Sequence, residues 1–307
     1  MFQAIQLGFQ SVEPRSVPPG QFVELPGRGT TFMVDVAGPV GAPTLLLLHG
    51  LAVTAYLNWF PAFERLSRQF RVVAIDHRGH GRGMPLKARF RLADCADDAV
   101  ALADVLGIER FVPVGYSLGG PIAQLVWRRH PERVEGLVLA ATSRNFGGTR
   151  QERWFYSTLI AAIYGVRAGR HLPGPLNHPP VNHAAAGAPE LDAGRLSKWA
   201  LSELRLASPG ATLQAMNAMG RFSSHQWVHE IDVPAAVVVT TVDKFIAPDR
   251  QLKLARAIPG ATIHPCHAGH AACVLGAKAF VPALVEACNS VGDRLGRDVR
   301  DRAVVPV

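Results

Sequence analysis

The pentapeptide Gly115-Tyr116-Ser117-Leu118-Gly119 is the strongest chemical signal in this 307-residue sequence. It is a G-x-S-x-G run set between a short apolar segment, Phe111–Gly115, and a helical one, Ser117–His130. A serine in a sharp strand-to-helix turn needs small neighbours, and such a turn pushes its Oγ out above the strand ends. Ser117 is therefore the candidate nucleophile rather than a structural serine. A serine hydroxyl attacks poorly until a base removes its proton, so a histidine is required. Of the twelve available, His270 in Ala268-Gly269-His270 follows a strand-like run, Ala261–Cys266, in a loop that would return over the sheet. His264 and His267 are its neighbouring competitors. The cluster His264, Cys266, His267, His270 and Cys273 could also suggest a metal. Those residues straddle a strand and a loop, however, and no carboxylate joins them.

The base in turn needs a carboxylate to fix its tautomer. Asp243 follows directly on the run Ala235–Thr241 and is the choice. Asp249 is the alternative, better placed to open a helix over Arg250–Ala257 as its N-cap. No acid follows Val134–Ala140, where Thr142-Ser143-Arg144-Asn145 stands. A tetrahedral oxyanion needs N–H donors. Leu118 supplies one as the residue after the nucleophile. Leu51, in His49-Gly50-Leu51-Ala52 after the run Thr44–Leu48, supplies the other, with Ala52 as fallback.

Strands and helices must position these groups. Thr44–Leu48, Arg71–Ile75, Phe111–Gly115, Val134–Ala140, Ala235–Thr241 and Ala261–Cys266 are short, β-branched or aliphatic, and nearly all apolar. Helical spacing lies between most of them, as at Asn58–Gln69 and Leu92–Leu106, where Asp94, Asp97 and Asp98 crowd the first turns. Apolar strands alternating with helices predict a parallel sheet covered on both faces. Phe22–Leu25 and Thr31–Ala37, joined by Pro26-Gly27-Arg28-Gly29, predict an edge hairpin. The alternation stops after Thr142 and resumes at Val233. Residues 145–227 hold helical stretches (Gln151–Tyr164, Ala193–Leu206, Thr212–Gly220) and a Pro/Gly/His-rich segment, His171–Pro189. The division expected is a core of 1–144 and 228–291, a helical insertion of 145–227, and a loosely held charged tail of 292–307.

These motifs in this order resemble the α/β-hydrolase fold family: His49-Gly50, Asp76-His77-Arg78-Gly79-His80-Gly81, Gly115-Tyr116-Ser117-Leu118-Gly119-Gly120, Asp243 and Gly269-His270. The order Ser, Asp, His is that family's and not that of the chymotrypsin-like or subtilisin-like proteases. The resemblance implies an eight-stranded, mostly parallel sheet with its second strand antiparallel, and a helical cap inserted after the sixth strand. It also implies that Asp76–Gly81 is a structural turn, so His77 and His80 receive no catalytic role. A serine nucleophile argues against the dehalogenase and epoxide-hydrolase branches, which use aspartate, and against dienelactone hydrolases, which use cysteine. Carboxylester hydrolysis through an acyl-Ser117 is the leading expectation. Carbon–carbon, lactone or amide hydrolysis, perhydrolysis and acyl transfer to another acceptor would use the same residues. A non-catalytic ligand receptor is the alternative of another class, and such relatives usually lack a triad member.

Composition sets the remaining bounds. With 48% hydrophobic and 18% charged residues the chain has ample material for a core, which excludes disordered, coiled-coil and collagen-like readings. The net charge of +8 comes from 27 Arg and 5 Lys. They are scattered and carry no nucleic-acid-binding pattern, so no nucleic-acid partner is expected. Residues 145–227 hold 8 Arg or Lys against 4 Asp or Glu, which could suit an anionic substrate or a peripheral lipid contact. Trp154–Val166, the longest apolar stretch, has 13 residues, short of the about 20 a membrane span needs. No signal peptide is visible and the four cysteines form no CxxC pair, so a cytoplasmic location is expected. No cofactor and no metal are called for, and the expected substrate is a small, hydrophobic ester or acyl compound. The sequence leaves the oligomeric state open.

Overall fold

The strands assemble into one eight-stranded sheet in the order β1-β2-β4-β3-β5-β6-β7-β8. The computed structural model describes residues 17–147 and 193–303. The expected cap helix Gln151–Tyr164 and the segment His171–Pro189 lie outside the described residues. The strands are β1 (Gly20–Leu25), β2 (Gly29–Val36), β3 (Thr44–Leu48), β4 (Arg71–Ile75), β5 (Val112–Tyr116), β6 (Leu137–Ala140), β7 (Ala235–Thr240) and β8 (Thr262–Cys266). β2 pairs antiparallel with β1 and β4, and every other pairing is parallel. The helices are α1 (Ala55–Trp59), α2 (Phe63–Ser67), α3 (Leu92–Val105), α4 (Gly119–Arg129), α5 (Ala193–Arg205), α6 (Pro209–Arg221), α7 (Pro248–Ala257) and α8 (Ala277–Ala303).

The period of two along each strand explains the double-sided core. In β3, Leu45 and Leu47 join one cluster with Phe280, Leu284 and Val291 of α8. Leu46 and Leu48 join the opposite cluster with Ala99 of α3 and Ile122 of α4. Both faces are therefore covered, and β3, β5, β6 and β7 are buried at every position. Burial of each such aliphatic side chain contributes about 1.5–3 kcal/mol, which makes these uninterrupted apolar runs fold as central strands. The last strand, β8, alternates half-buried and exposed residues over most of its length, as an edge strand does.

Three expectations need correction. Helical spacing over Asn58–Gln69 becomes two short helices, α1 and α2, because Pro61 has no N–H to continue the first. Asp249 does not cap α7: Ala247 holds the N-cap position, Pro248 takes the first turn, and Asp249 pairs with Lys253 at 3.1 Å. The chain from Gly292 is no loose tail, since α8 runs on to Ala303. Arg294 fastens it by donating to the carbonyls of Ser290, Gly260 and Ala235 at 2.7–3.0 Å.

The acids of α3 also do more than meet a helix dipole. The Asp98 side chain, 3% exposed, takes Arg28 of the β1–β2 turn at 2.6 Å and Arg78 of the loop after β4 at 2.6 Å. One carboxylate thus ties three segments together. Among the described residues no helix is long and apolar enough to cross a membrane.

Candidate active site

The sheet delivers Ser117, Asp243 and His270 to one end. Ser117 follows β5 in the left-handed region at φ 50°, a costly conformation for a residue with a side chain. Its surroundings hold it there. The Ser117 N–H donates to the Ala140 carbonyl of β6 at 2.9 Å, and Thr142 Oγ1 donates to the Ser117 carbonyl at 2.9 Å. The two flanking glycines are steric requirements. A Cβ on Gly115 would lie 2.3 Å from the Gly119 oxygen, and one on Gly119 would lie 2.0 Å from the Leu48 oxygen.

Ser117 Oγ lies 2.9 Å from His270 Nε2, and His270 Nδ1 lies 2.8 Å from Asp243 Oδ2. Asp243 is buried and accepts from all sides. Its Oδ1 takes the N–H groups of Phe245 and Ile246 at 2.7 and 2.9 Å. Its Oδ2 also takes Thr240 Oγ1 at 2.8 Å and Gln251 Nε2 at 3.3 Å. Burial alone would raise its pKa, but the hydrogen bond and charge of His270 and the two backbone donors outweigh it and hold the carboxyl below its ordinary range. An ionised carboxylate only accepts, so Nδ1 of His270 carries the proton. Nε2 then offers a lone pair to the Ser117 hydroxyl, which donates to it.

The loop of His270 is clamped to the nucleophile's own strand, since Tyr116 Oη donates to the His270 carbonyl at 2.5 Å. Phe245, 72% exposed, stacks its ring on the imidazole with centroids 5.3 Å apart and an interplanar angle of 24°. The competitors lie elsewhere. His264 Nε2 meets Thr262 and Ser290 hydroxyls, and His267 Nδ1 meets Thr241 Oγ1. Asp249 is largely exposed and bound to Lys253. Among the described residues no group of three or more His, Cys, Asp or Glu side chains could hold a metal.

The loop after β3 shows how the backbone beside Ser117 is aimed. The N–H of His77 donates to His49 Nε2 at 2.9 Å, which leaves the proton on Nδ1, and Nδ1 donates to the Gly50 carbonyl at 2.7 Å. Burial and the neighbouring rings of His77 and His80 keep His49 well below the ordinary histidine pKa, in its neutral form. In a trans peptide the N–H points opposite to the C=O. Fixing the Gly50 carbonyl on His49 therefore turns the Leu51 N–H to the other side. Among the described residues the N–H groups of Leu51 and Leu118 donate to no protein acceptor. Ala52, the fallback donor, sits at φ 59°. Asn58 adds a group that no motif marked. Its Oδ1 accepts the Gly50 N–H at 3.0 Å, while its buried Nδ2 has no partner among the described residues.

These groups open on a cavity of about 1130 Å³, lined among others by Asn58, Ser117, Arg144, Leu204, Met219 and His270. Leu204 belongs to α5 and Met219 to α6, so the helices inserted between β6 and β7 form part of its wall. A polarised hydroxyl, a fixed imidazole and free N–H groups around one cavity can support nucleophilic attack on an acyl carbon.

Residues 43–277 match the family described as alpha/beta hydrolase fold. The chain belongs to the α/β-hydrolase fold family. Membership places it among hydrolases. A protein of Caulobacter sp. (strain K31) carrying the name carbamate hydrolase RutD is 28% identical over 249 residues, 79% of this chain and 89% of that protein. Its namesake from Agrobacterium fabrum (strain C58 / ATCC 33970) is 40% identical over 100 residues, 32% of this chain and only 38% of that relative. The crystal structure of the enol-lactonase from Burkholderia xenovorans LB400 superposes with a TM-score of 0.65 at 23% identity, over 87% of this chain and 99% of that one. That last likeness is one of fold.

The motifs of the α/β-hydrolase fold thus led to the three side chains that meet. They did not lead to Thr240 and Gln251 under Asp243, to Tyr116 and Thr142 as clamps, or to His49 and Asn58 beside the Leu51 peptide. Tyr116, Thr142 and His49 stood within quoted motifs, but His270, Ser117 and His77, which they meet, are distant in sequence and leave no local pattern.

Proposed function

We propose that this chain is a serine hydrolase that cleaves a small carboxylic ester through an acyl-Ser117 intermediate. The reading is carried by one observation: the unbroken hydrogen-bond line Ser117–His270–Asp243 at 2.9 and 2.8 Å, opening on a cavity. Ser117 Oγ attacks the substrate carbonyl as its proton passes to His270 Nε2. Asp243 stabilises the resulting imidazolium. The N–H groups of Leu51 and Leu118 receive the charge on the carbonyl oxygen. Collapse breaks the ester C–O bond, and His270 returns the proton to the leaving alkoxide. Water, deprotonated by His270, then frees the acid from Ser117.

Residues 145–227 act in this reading as a cap that bounds the substrate. A cytoplasmic setting accords with four buried, unpaired cysteines. Relatives whose names specify a carbamate or an enol-lactone as substrate favour a second reading, in which the same residues open a lactone or a carbamate. A fluorophosphonate probe tests the nucleophile, with an adduct expected on Ser117 and none in Ser117→Ala. Folded protein that is never labelled would instead indicate a ligand receptor. A panel of p-nitrophenyl esters, lactones and carbamates then separates the two chemistries.

A further inference from the structure

The inserted segment leaves the core after β6 and returns before β7, and its two passes meet. Asn145 on the outgoing pass forms an antiparallel bridge with Ser223 on the returning one, and the Ser224 N–H donates to the Arg144 carbonyl at 2.8 Å. A side chain of the core reaches both passes. Gln124 of α4 is fully buried. Its Nε2 donates to the Ser143 carbonyl at 3.3 Å, and its Oε1 accepts the Ser224 hydroxyl at 2.6 Å. Nε2 also donates to the Gly120 carbonyl at 3.3 Å. That third contact leads back to the nucleophile. The Gly120 N–H donates to the Ser117 carbonyl at 2.9 Å, the same oxygen that Thr142 Oγ1 holds.

Position 124 has a specific chemical requirement. Two carbonyls need donors and the hydroxyl needs an acceptor, and a single amide supplies both. Ile122, Ala123, Val126 and Trp127 of the same helix are buried and apolar. An amide among them costs free energy unless its hydrogen bonds are made. An aliphatic side chain would suit the helix and lose all three contacts, while an ionised glutamate would keep only an acceptor. The outgoing pass that Gln124 holds is also a wall of the site, since Ser143, Arg144 and Asn145 line the cavity on which Ser117 opens. We propose that Gln124 is a positioning residue of the substrate site: it ties both passes of the insertion to the first turn of the nucleophile helix and so sets how far the wall of residues 143–145 stands from Ser117. The inference rests on the reading that the cavity holds the substrate of Ser117.

The tie is tested apart from turnover, by amide hydrogen exchange read by mass spectrometry. In Gln124→Met, which keeps the length of the side chain, exchange should quicken about tenfold or more in peptides covering 143–146 and 222–228. It should stay unchanged over 266–275, the segment of His270. Ser224→Ala should quicken the same two segments. Unchanged exchange in both, or a quickening spread evenly over all three, would overturn the proposal. Quickened exchange at the two passes in a protein that hydrolyses no ester would refute the hydrolase reading and leave the tie standing.

In active protein, p-nitrophenyl acetate is compared with p-nitrophenyl hexanoate and hexyl acetate, which extend the acyl side or the alcohol side, with active sites counted by fluorophosphonate labelling. Gln124→Met should raise KM about fivefold or more for at least one longer ester relative to p-nitrophenyl acetate, with kcat per labelled site within about twofold. Asp98→Asn weakens a buried tie among residues that do not line the cavity. It should lower the urea midpoint and leave the KM ratios unchanged. Unchanged KM ratios in Gln124→Met, or an equal fall in kcat for all three esters, would overturn the proposal.

Discussion

Replacing Glu203 with glutamine should strand a buried cation and loosen the inserted helices from the core. Glu203 is 1% exposed on α5. It accepts from Arg82 Nη1 and Nη2 at 2.9 and 2.6 Å and from Thr54 Oγ1 at 2.6 Å. Removing one member of a buried ion pair costs about 3–5 kcal/mol, because the other charge is left without compensation. Two features reduce that figure. The Arg82 side chain is 20% exposed, and its guanidinium lies 5.1 Å from the Phe32 centroid and 5.6 Å from that of Tyr56, contacts worth about 0.5–1 kcal/mol each at such sites. Glutamine also keeps one acceptor oxygen. The expected loss is therefore about 2–3 kcal/mol.

Urea unfolding followed by far-ultraviolet circular dichroism reads that loss. The double variant Glu203→Leu, Arg82→Met strands no charge, so it should be less destabilised than the sum of its single variants by about 2 kcal/mol or more. Leu204, the next residue, lines the cavity, so KM should rise in Glu203→Gln. A loss below about 0.5 kcal/mol, or additive single and double variants, would refute the argument that this pair holds the insertion.

Other substitutions separate chemistry from support. Asp243→Asn should lower kcat by roughly 10³–10⁴-fold through loss of the tautomer and of the imidazolium partner. Asp249→Asn should leave kcat within about twofold, and steady-state ester kinetics compare the two. His49→Leu frees the Gly50 carbonyl and should lower kcat by about 10–100-fold with little change in KM; the reverse pattern would remove His49 from the aiming of Leu51. Burial raises Asp76 to about 7 from 3.8 against the pull of the Ala55 and Arg82 N–H groups. A raised folded-state pKa favours folding at low pH. This contribution is full below about pH 4, is lost as pH rises through about 7, and has an upper bound of about 4 kcal/mol. Urea midpoints between those pH values should therefore slope less in Asp76→Asn than in the unsubstituted protein, and equal slopes would contradict the burial argument.

The parts legible in the sequence were those with a local cause. Leu45 to Leu48 read as a central strand because both faces of that strand are covered. Gly115 and Gly119 marked the turn because a Cβ at either would strike backbone. Asp243 and His270 could be placed because each follows the end of a strand whose apolar run is plain. The illegible parts were contacts between distant segments. Glu203 meets Arg82 across 121 positions, and Asp98 meets Arg28 across 70. A charged residue on a helix reads the same whether solvent or a guanidinium waits for it. The stretch after Gly292 was misjudged for the same reason, since its alternating Arg and Asp hide the three carbonyls that Arg294 reaches.

The clamp between Tyr116 and the His270 carbonyl has a further consequence. The nucleophile and the base hang from one rigid mount: residue 116 grips the loop of residue 270 while its neighbour carries the reacting hydroxyl. Asp243 is braced separately by Thr240 and Gln251. None of these fastenings belongs to the helices between β6 and β7. Among the described residues the spacing of Ser117, His270 and Asp243 is thus set by the sheet and its loops and not by α5 or α6, so substitutions on those two helices should alter substrate binding before they alter the reactive line.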